Sequence, residues 1–87
     1  MNSKDGIIPI MVRSFVPLDK SIENFDIGKS FKIDLFINPN IGELIRRLFS
    51  KNANQIGIIV INGKIGNYNS PLSSGDQVDL YGLVGGG

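Results

Sequence analysis

One stretch limits the fold more than any other. Residues 31–61 read as strand, helix, strand with short breaks between them. Phe31, Ile33, Leu35 and Ile37 alternate with Lys32, Asp34 and Phe36, the pattern of a strand buried on one face. Asn38-Pro39-Asn40 interrupts it. Asn40 is a good N-cap, and Glu43 three residues on has the spacing of a capping box. Ile41, Leu44, Ile45, Leu48 and Phe49 then recur at the helical period, while Arg46, Arg47 and Lys51 fall outside the stripe. The spacing predicts a helix over 41–51, with Asn52-Ala53-Asn54 ending it. Ile56 to Ile61 is β-branched apart from Gly57 and reads as a central strand. A single helix between strands must lie on one face of a sheet, so the other face is left open.

The flanks extend this frame. Residues 1–6 are polar and read as a loose N-terminus. Ile7 to Val16 is a strand candidate with Ile8, Ile10 and Val12 on one face and Pro9, Met11 and Arg13 on the other. Pro9 has no N–H to give, so it belongs at a strand start or beside an unpaired edge. Residues 18–30 form a long polar connection with Ile22, Phe25 and Ile27 as candidate plugs. Asn62-Gly63 is the favoured pair for a two-residue hairpin, and Lys64-Ile65 begins a short return strand. Leu72 is the one buried anchor expected in the loop at 67–76. Gly75-Asp76 turns into a last strand that alternates through Val84. The whole reads as one α+β domain over 1–87, a mixed four- to five-stranded sheet with one main helix on one face.

Composition removes several chemistries. Among 87 residues there is no cysteine and no histidine. Disulfides, iron–sulfur ligation and a histidine-based triad are excluded, and no metal site is expected. Net charge is +1 from nine basic and eight acidic residues, which gives no nucleic-acid footprint. No apolar run approaches membrane-spanning length, and no signal peptide is evident. A cytoplasmic location fits a chain free of cysteine.

Gly85, Gly86 and Gly87 follow the last strand. Glycine adds no packing, and ordering it costs backbone entropy, so folding does not explain three in a row. A linker remnant would explain them. So would a tail that must thread a narrow channel and present its own carboxylate.

The combination of Val60-Ile61-Asn62-Gly63-Lys64, Leu72-Ser73-Ser74-Gly75-Asp76-Gln77-Val78-Asp79-Leu80 and terminal glycines after Val84 resembles the MoaD/ThiS family of sulfur carriers, which have the ubiquitin-like β-grasp fold. Val12-Arg13-Ser14-Phe15 leading to Leu18, and Ile41-Gly42-Glu43-Leu44-Ile45 opening the helix, add to the likeness, which covers about Met11 to Gly87. Gly82 and Leu83 stand where molybdopterin-synthase-type members commonly carry prolines. The 19–30 connection is also long, and three glycines replace two, which leaves the subfamily open.

The resemblance implies that the last strand lies centrally beside the first. It also implies that the Gly87 carboxylate is adenylated by a ubiquitin-activating-type adenylyltransferase using ATP and Mg²⁺, then converted to a thiocarboxylate with sulfur from a donor protein. The thiocarboxylate would be delivered in cofactor biosynthesis, in company with a molybdopterin-synthase large subunit. The chain would then be a carrier and not an enzyme, with no bound cofactor, no nucleic acid and no membrane. Gly86 and Gly87 are the expected reacting end and Gly85 the base of the tail. Met11, Arg13, Phe36, Ile59, Tyr81 and Leu83 are expected on the open face as the partner-binding surface. A ubiquitin-like modifier, a carrier for tRNA thiolation, and a non-catalytic β-grasp binding module stay open as alternatives.

Overall fold

The computed structural model describes residues 6–20, 22 and 25–83. Apart from Gly6, the expected loose N-terminus lies outside these residues, and so do Val84 and the three glycines. The elements are β1 (Ile7–Ser14), β2 (Phe31–Phe36), α1 (Ile41–Leu48), a 3₁₀ turn (Asn52–Gln55), β3 (Ile56–Ile61), β4 (Lys64–Gly66) and β5 (Gln77–Gly82). Five strands form one mixed sheet in the order β2-β1-β5-β3-β4. β1 runs antiparallel to β2 and parallel to β5, while β3 is antiparallel to both β5 and β4.

The apolar stripe of α1 determines which face of the sheet is covered. Ile41, Leu44, Ile45 and Leu48 are buried against Ile10 and Val12 of β1, Ile33 and Leu35 of β2, Ile59 of β3, and Val78 and Leu80 of β5. Each such side chain contributes about 1.5–3 kcal/mol by leaving water. Leu72 is buried in the same cluster, and Leu72 N–H donates to the Pro39 carbonyl at 3.0 Å. The loop anchor expected there therefore fastens two connections together.

Local chemistry sets the ends of the elements. Asn40 accepts from Glu43 N–H at 2.9 Å and caps α1. Glu43 does not complete a capping box; its carboxylate takes Arg46 instead. The helix stops at Leu48, three residues before the expected end, and Phe49 is extended. The cause lies far away in sequence. The Asp19 carboxylate accepts the N–H groups of Ser50, Lys51 and Asn52, drawing the chain off the helix path and into the 3₁₀ turn. β1 ends at Ser14 and not Val16, because the Ser14 hydroxyl bonds both the N–H (3.1 Å) and the carbonyl (2.7 Å) of Val16. Ile37, expected inward, is 60% exposed, since β2 ends before it and Asn38 turns through a positive φ of 59°.

Pro9 sits where its missing donor costs nothing. Its carbonyl points toward β5 and accepts from Gly75 N–H at 2.8 Å, but the β1–β5 ladder begins only at Met11. Asn62 and Gly63 form the hairpin turn with positive φ values of 51° and 83°, as a type I′ turn requires.

Candidate functional site

The sheet face away from α1 is built from the odd residues of β1, the even residues of β2 and the odd residues of β5. Arg13 and Asp79 face each other across the parallel β1–β5 register. Arg13 donates through Nε and Nη2 to the two carboxylate oxygens of Asp79, both at 3.1 Å. Gln77 Nε2 donates to Asp79 Oδ1 at 3.2 Å. Asp79 is only 8% exposed, so the pair is a fixed feature of the sheet. The hydrogen bond to Asp79, and then their charge attraction, push the Arg13 guanidinium further above its ordinary range. Its charge is already matched, which leaves Arg13 less suited to an acidic partner than its position alone suggests.

Next to this pair lies an apolar platform. Phe15 stacks on Tyr81 with ring centroids 5.0 Å apart and planes 6° from parallel. The Arg13 guanidinium carbon is 5.9 Å from the Phe15 centroid, within cation–π range. Gly28, in the long connection, donates its N–H to the Ser14 carbonyl at 2.9 Å. A Cβ on Gly28 would lie 3.1 Å from the Phe15 ring, so glycine lets the connection close on the ring edge. Even so, Phe15 is 42% exposed. Ile58 pairs with Tyr81 across β3–β5 and is also exposed. Leu83, 67% exposed, follows β5 and donates its N–H to the Gln55 carbonyl at 3.0 Å. The chain therefore leaves the sheet beside Phe15, Tyr81 and Ile58.

The six residues expected to form a partner surface do not form one patch. Arg13, Tyr81 and Leu83 gather at the chain exit, with Met11 further back along β1. Phe36 is on the same face but pairs with Ile7 at the opposite end of β1. Eight residues of strand separate Ile7 from Phe15, roughly 26 Å. Phe36 borders a depression of about 380 Å³ lined by Leu35, Ile37, Asn38, Pro39, Glu43 and Arg47.

Ile59 lies in the core and not on the open face where strict alternation sets it. It is 6% exposed and packs in the core opposite Leu80. The β3–β5 register slips between Ile56 and Ile58, a bulge at Gly57. One extra residue exchanges the faces of everything after it. Ile56 packs against the core as its phase requires, but beyond the bulge Ile59 and Ile61 turn inward and Ile58 and Val60 turn outward. The same bulge hid Ile58 from sequence reasoning. Phe15 could have been found, since it continues the Met11, Arg13 phase of β1.

Gly85, Gly86 and Gly87 lie outside the described residues. Among the described residues there is no group of three potential metal ligands and no helix long and apolar enough to cross a membrane. The chain matches no family model and no curated protein.

Proposed function

We propose that this chain is a sulfur carrier with a β-grasp fold, acting in the cytoplasm as co-substrate of an activating enzyme. One arrangement supports this most strongly. β5 lies inside the sheet, parallel to β1, and delivers the chain to Leu83 beside the exposed Phe15–Tyr81 stack, just ahead of three glycines in sequence. The strand order and the single helix after β2 fit a β-grasp.

In this chemistry the Gly87 carboxylate is the group that reacts. A carboxylate resists nucleophiles because of its charge and its poor leaving group. A ubiquitin-activating-type adenylyltransferase overcomes both. The carboxylate oxygen attacks the α-phosphorus of ATP, held with Mg²⁺ in that enzyme, and pyrophosphate leaves. The terminal sulfur of a persulfide on a donor protein then attacks the acyl carbon and AMP leaves; a second thiol of the partner proteins cleaves the resulting acyl disulfide, forming a disulfide there and leaving a thiocarboxylate on Gly87. That group delivers sulfur to a cofactor precursor, with a molybdopterin-synthase-type large subunit as the fitting recipient. The carrier supplies no acid, base or metal, in keeping with a sequence free of His and Cys. Glycines at 85–87 keep the tail narrow enough to enter a closed site that excludes water. The Phe15, Ile58, Tyr81 and Leu83 platform holds the body against the activating enzyme.

The test is ATP–pyrophosphate exchange with activating enzymes of this type, joined to mass spectrometry of the protein from its native host. Exchange that depends on Gly87, and replacement of one terminal oxygen by sulfur, are the expected results. A native polypeptide that continues untrimmed past Gly87 would overturn the assignment.

A further inference from the structure

The outer edge of β2 is open and carries its own complement. Among the described residues no strand pairs with it. Pro9 and Met11 of β1 direct their backbone groups toward β5, where they meet Gly75 and Asp76. Their partners across the β1–β2 ladder, Asp34 and Lys32, therefore point N–H and C=O outward, away from the sheet. Phe36 follows the same phase. Arg47 confirms the direction by donating to the Asp34 carbonyl, though at a long 3.4 Å that leaves the second lone pair available. The side chains of Lys32 and Asp34 stand on the open face opposite Met11 and Pro9, neither of which is charged. Among the described residues neither Lys32 nor Asp34 makes an ion pair.

We infer that β2 is a self-association edge that pairs antiparallel with β2 of a second copy about a two-fold axis through Ile33. This register places Lys32 opposite Asp34 of the second copy, and Asp34 opposite its Lys32. Both positions present outward backbone groups, so each pair exchanges two hydrogen bonds. Neighbouring registers fail on charge. An axis through Asp34 sets two carboxylates face to face, and an axis through Lys32 sets two ammonium groups face to face. In the favoured register Phe36, 77% exposed, lies diagonal to Lys32 of the second copy and can cover its aliphatic stem. Two five-stranded sheets become one ten-stranded sheet. β2 is on the far side of β1 from β5, so pairing leaves the chain exit at Leu83 uncovered in both copies. The dimer is independent of the sulfur-carrier assignment, and either can fail without the other.

Sedimentation equilibrium of the full chain from micromolar to millimolar concentration tests it. The wild-type apparent mass rises toward twice the monomer value. Asp34→Lys sets like charges across the axis and weakens association roughly tenfold or more. The double swap Lys32→Asp/Asp34→Lys restores the complement and regains dimerisation. Thermal melting of each variant at low concentration confirms that the exposed substitutions leave the monomer folded. A wild-type chain that stays monomeric at millimolar concentration overturns the inference. So does a single variant that associates as tightly as wild type, or a double swap that fails to recover.

Discussion

The Asn62 side-chain amide donates to Asp76 Oδ1 at 2.9 Å, joining the β3–β4 hairpin to the turn that starts β5. The second Asp76 oxygen accepts Ser73 N–H at 2.8 Å, and Asn62 Oδ1 accepts Gln77 N–H at 2.9 Å. Two sequence signals 14 residues apart are thus one hydrogen-bonded unit. Asp76→Ala removes both acceptors and is expected to cost about 1–3 kcal/mol in urea unfolding. Asp76→Asn keeps the shape but turns one oxygen into a donor, so it should fall between Ala and wild type.

Gly57 sets the path of the chain exit. A Cβ there would come within 2.9 Å of the Gly82 carbonyl oxygen and 3.0 Å of Leu83 Cα, both backbone atoms that cannot swing aside. Gly57→Ala is expected to destabilise by about 1–3 kcal/mol. It should also shift the Leu83 amide resonance far more than that of Phe36, which lies across the sheet. Unchanged stability with an unmoved Leu83 amide would contradict the close approach.

These contacts show what could be read from sequence and what could not. The helical stripe, the Asn62-Gly63 turn, the β1 phase and the Leu72 anchor depend on neighbours a few residues away, and each stands in the structure as read. The end of α1 depends on Asp19, some thirty residues upstream, and no local pattern reveals such a cap. Strict alternation sets Ile59 on the open face, but a bulge inverts phase without altering composition. Of the candidate surface, Arg13, Tyr81 and Leu83 share one end of the sheet, but Phe36 belongs to the other, since residues on one face can still be a strand length apart.

The Arg13–Asp79 pair makes an ordering testable. Asp79 is nearly buried, so removing Arg13 strands a carboxylate with only Gln77 to bond it. Removing both ends leaves no such charge. Urea midpoints should therefore fall further for Arg13→Ala than for Arg13→Ala/Asp79→Ala. Equal or reversed losses would mean that water satisfies Asp79 as well as Arg13 does.

Asp19 gives an acid dependence of known sign. Desolvation pushes its pKa up, but the N–H donors of Ser50, Asn52 and Lys51 outweigh this and hold the carboxyl below its ordinary 3.8. A depressed folded-state pKa adds stability that is present above the unfolded value and is lost as pH falls through the folded one. The wild type should lose melting temperature below pH 3.8 more steeply than Asp19→Asn, which cannot titrate. At neutral pH Asp19→Asn is the less stable chain, because a neutral amide oxygen is a weaker acceptor for the three N–H groups, and the gap closes as the wild type is protonated. Parallel melting curves across the acid range would remove Asp19 as the anchor of the 3₁₀ turn.

Under the proposed function the Phe15–Tyr81 stack binds and the glycine tail reacts, so the two should separate in kinetics. If the stack docks the activating enzyme, Tyr81→Ala removes a contact made equally in ground and transition states. The KM for the carrier then rises roughly tenfold, about 1.4 kcal/mol, with kcat little changed. Gly86→Ala leaves the platform intact but crowds the reacting end, so it lowers kcat in pyrophosphate exchange. Phe36→Ala, at the far end of the same face, changes neither and controls for general loss of apolar surface. A rise in KM for Phe36→Ala with none for Tyr81→Ala would move the docking site to the opposite end of the sheet. It would also leave the platform at the chain exit without a docking role.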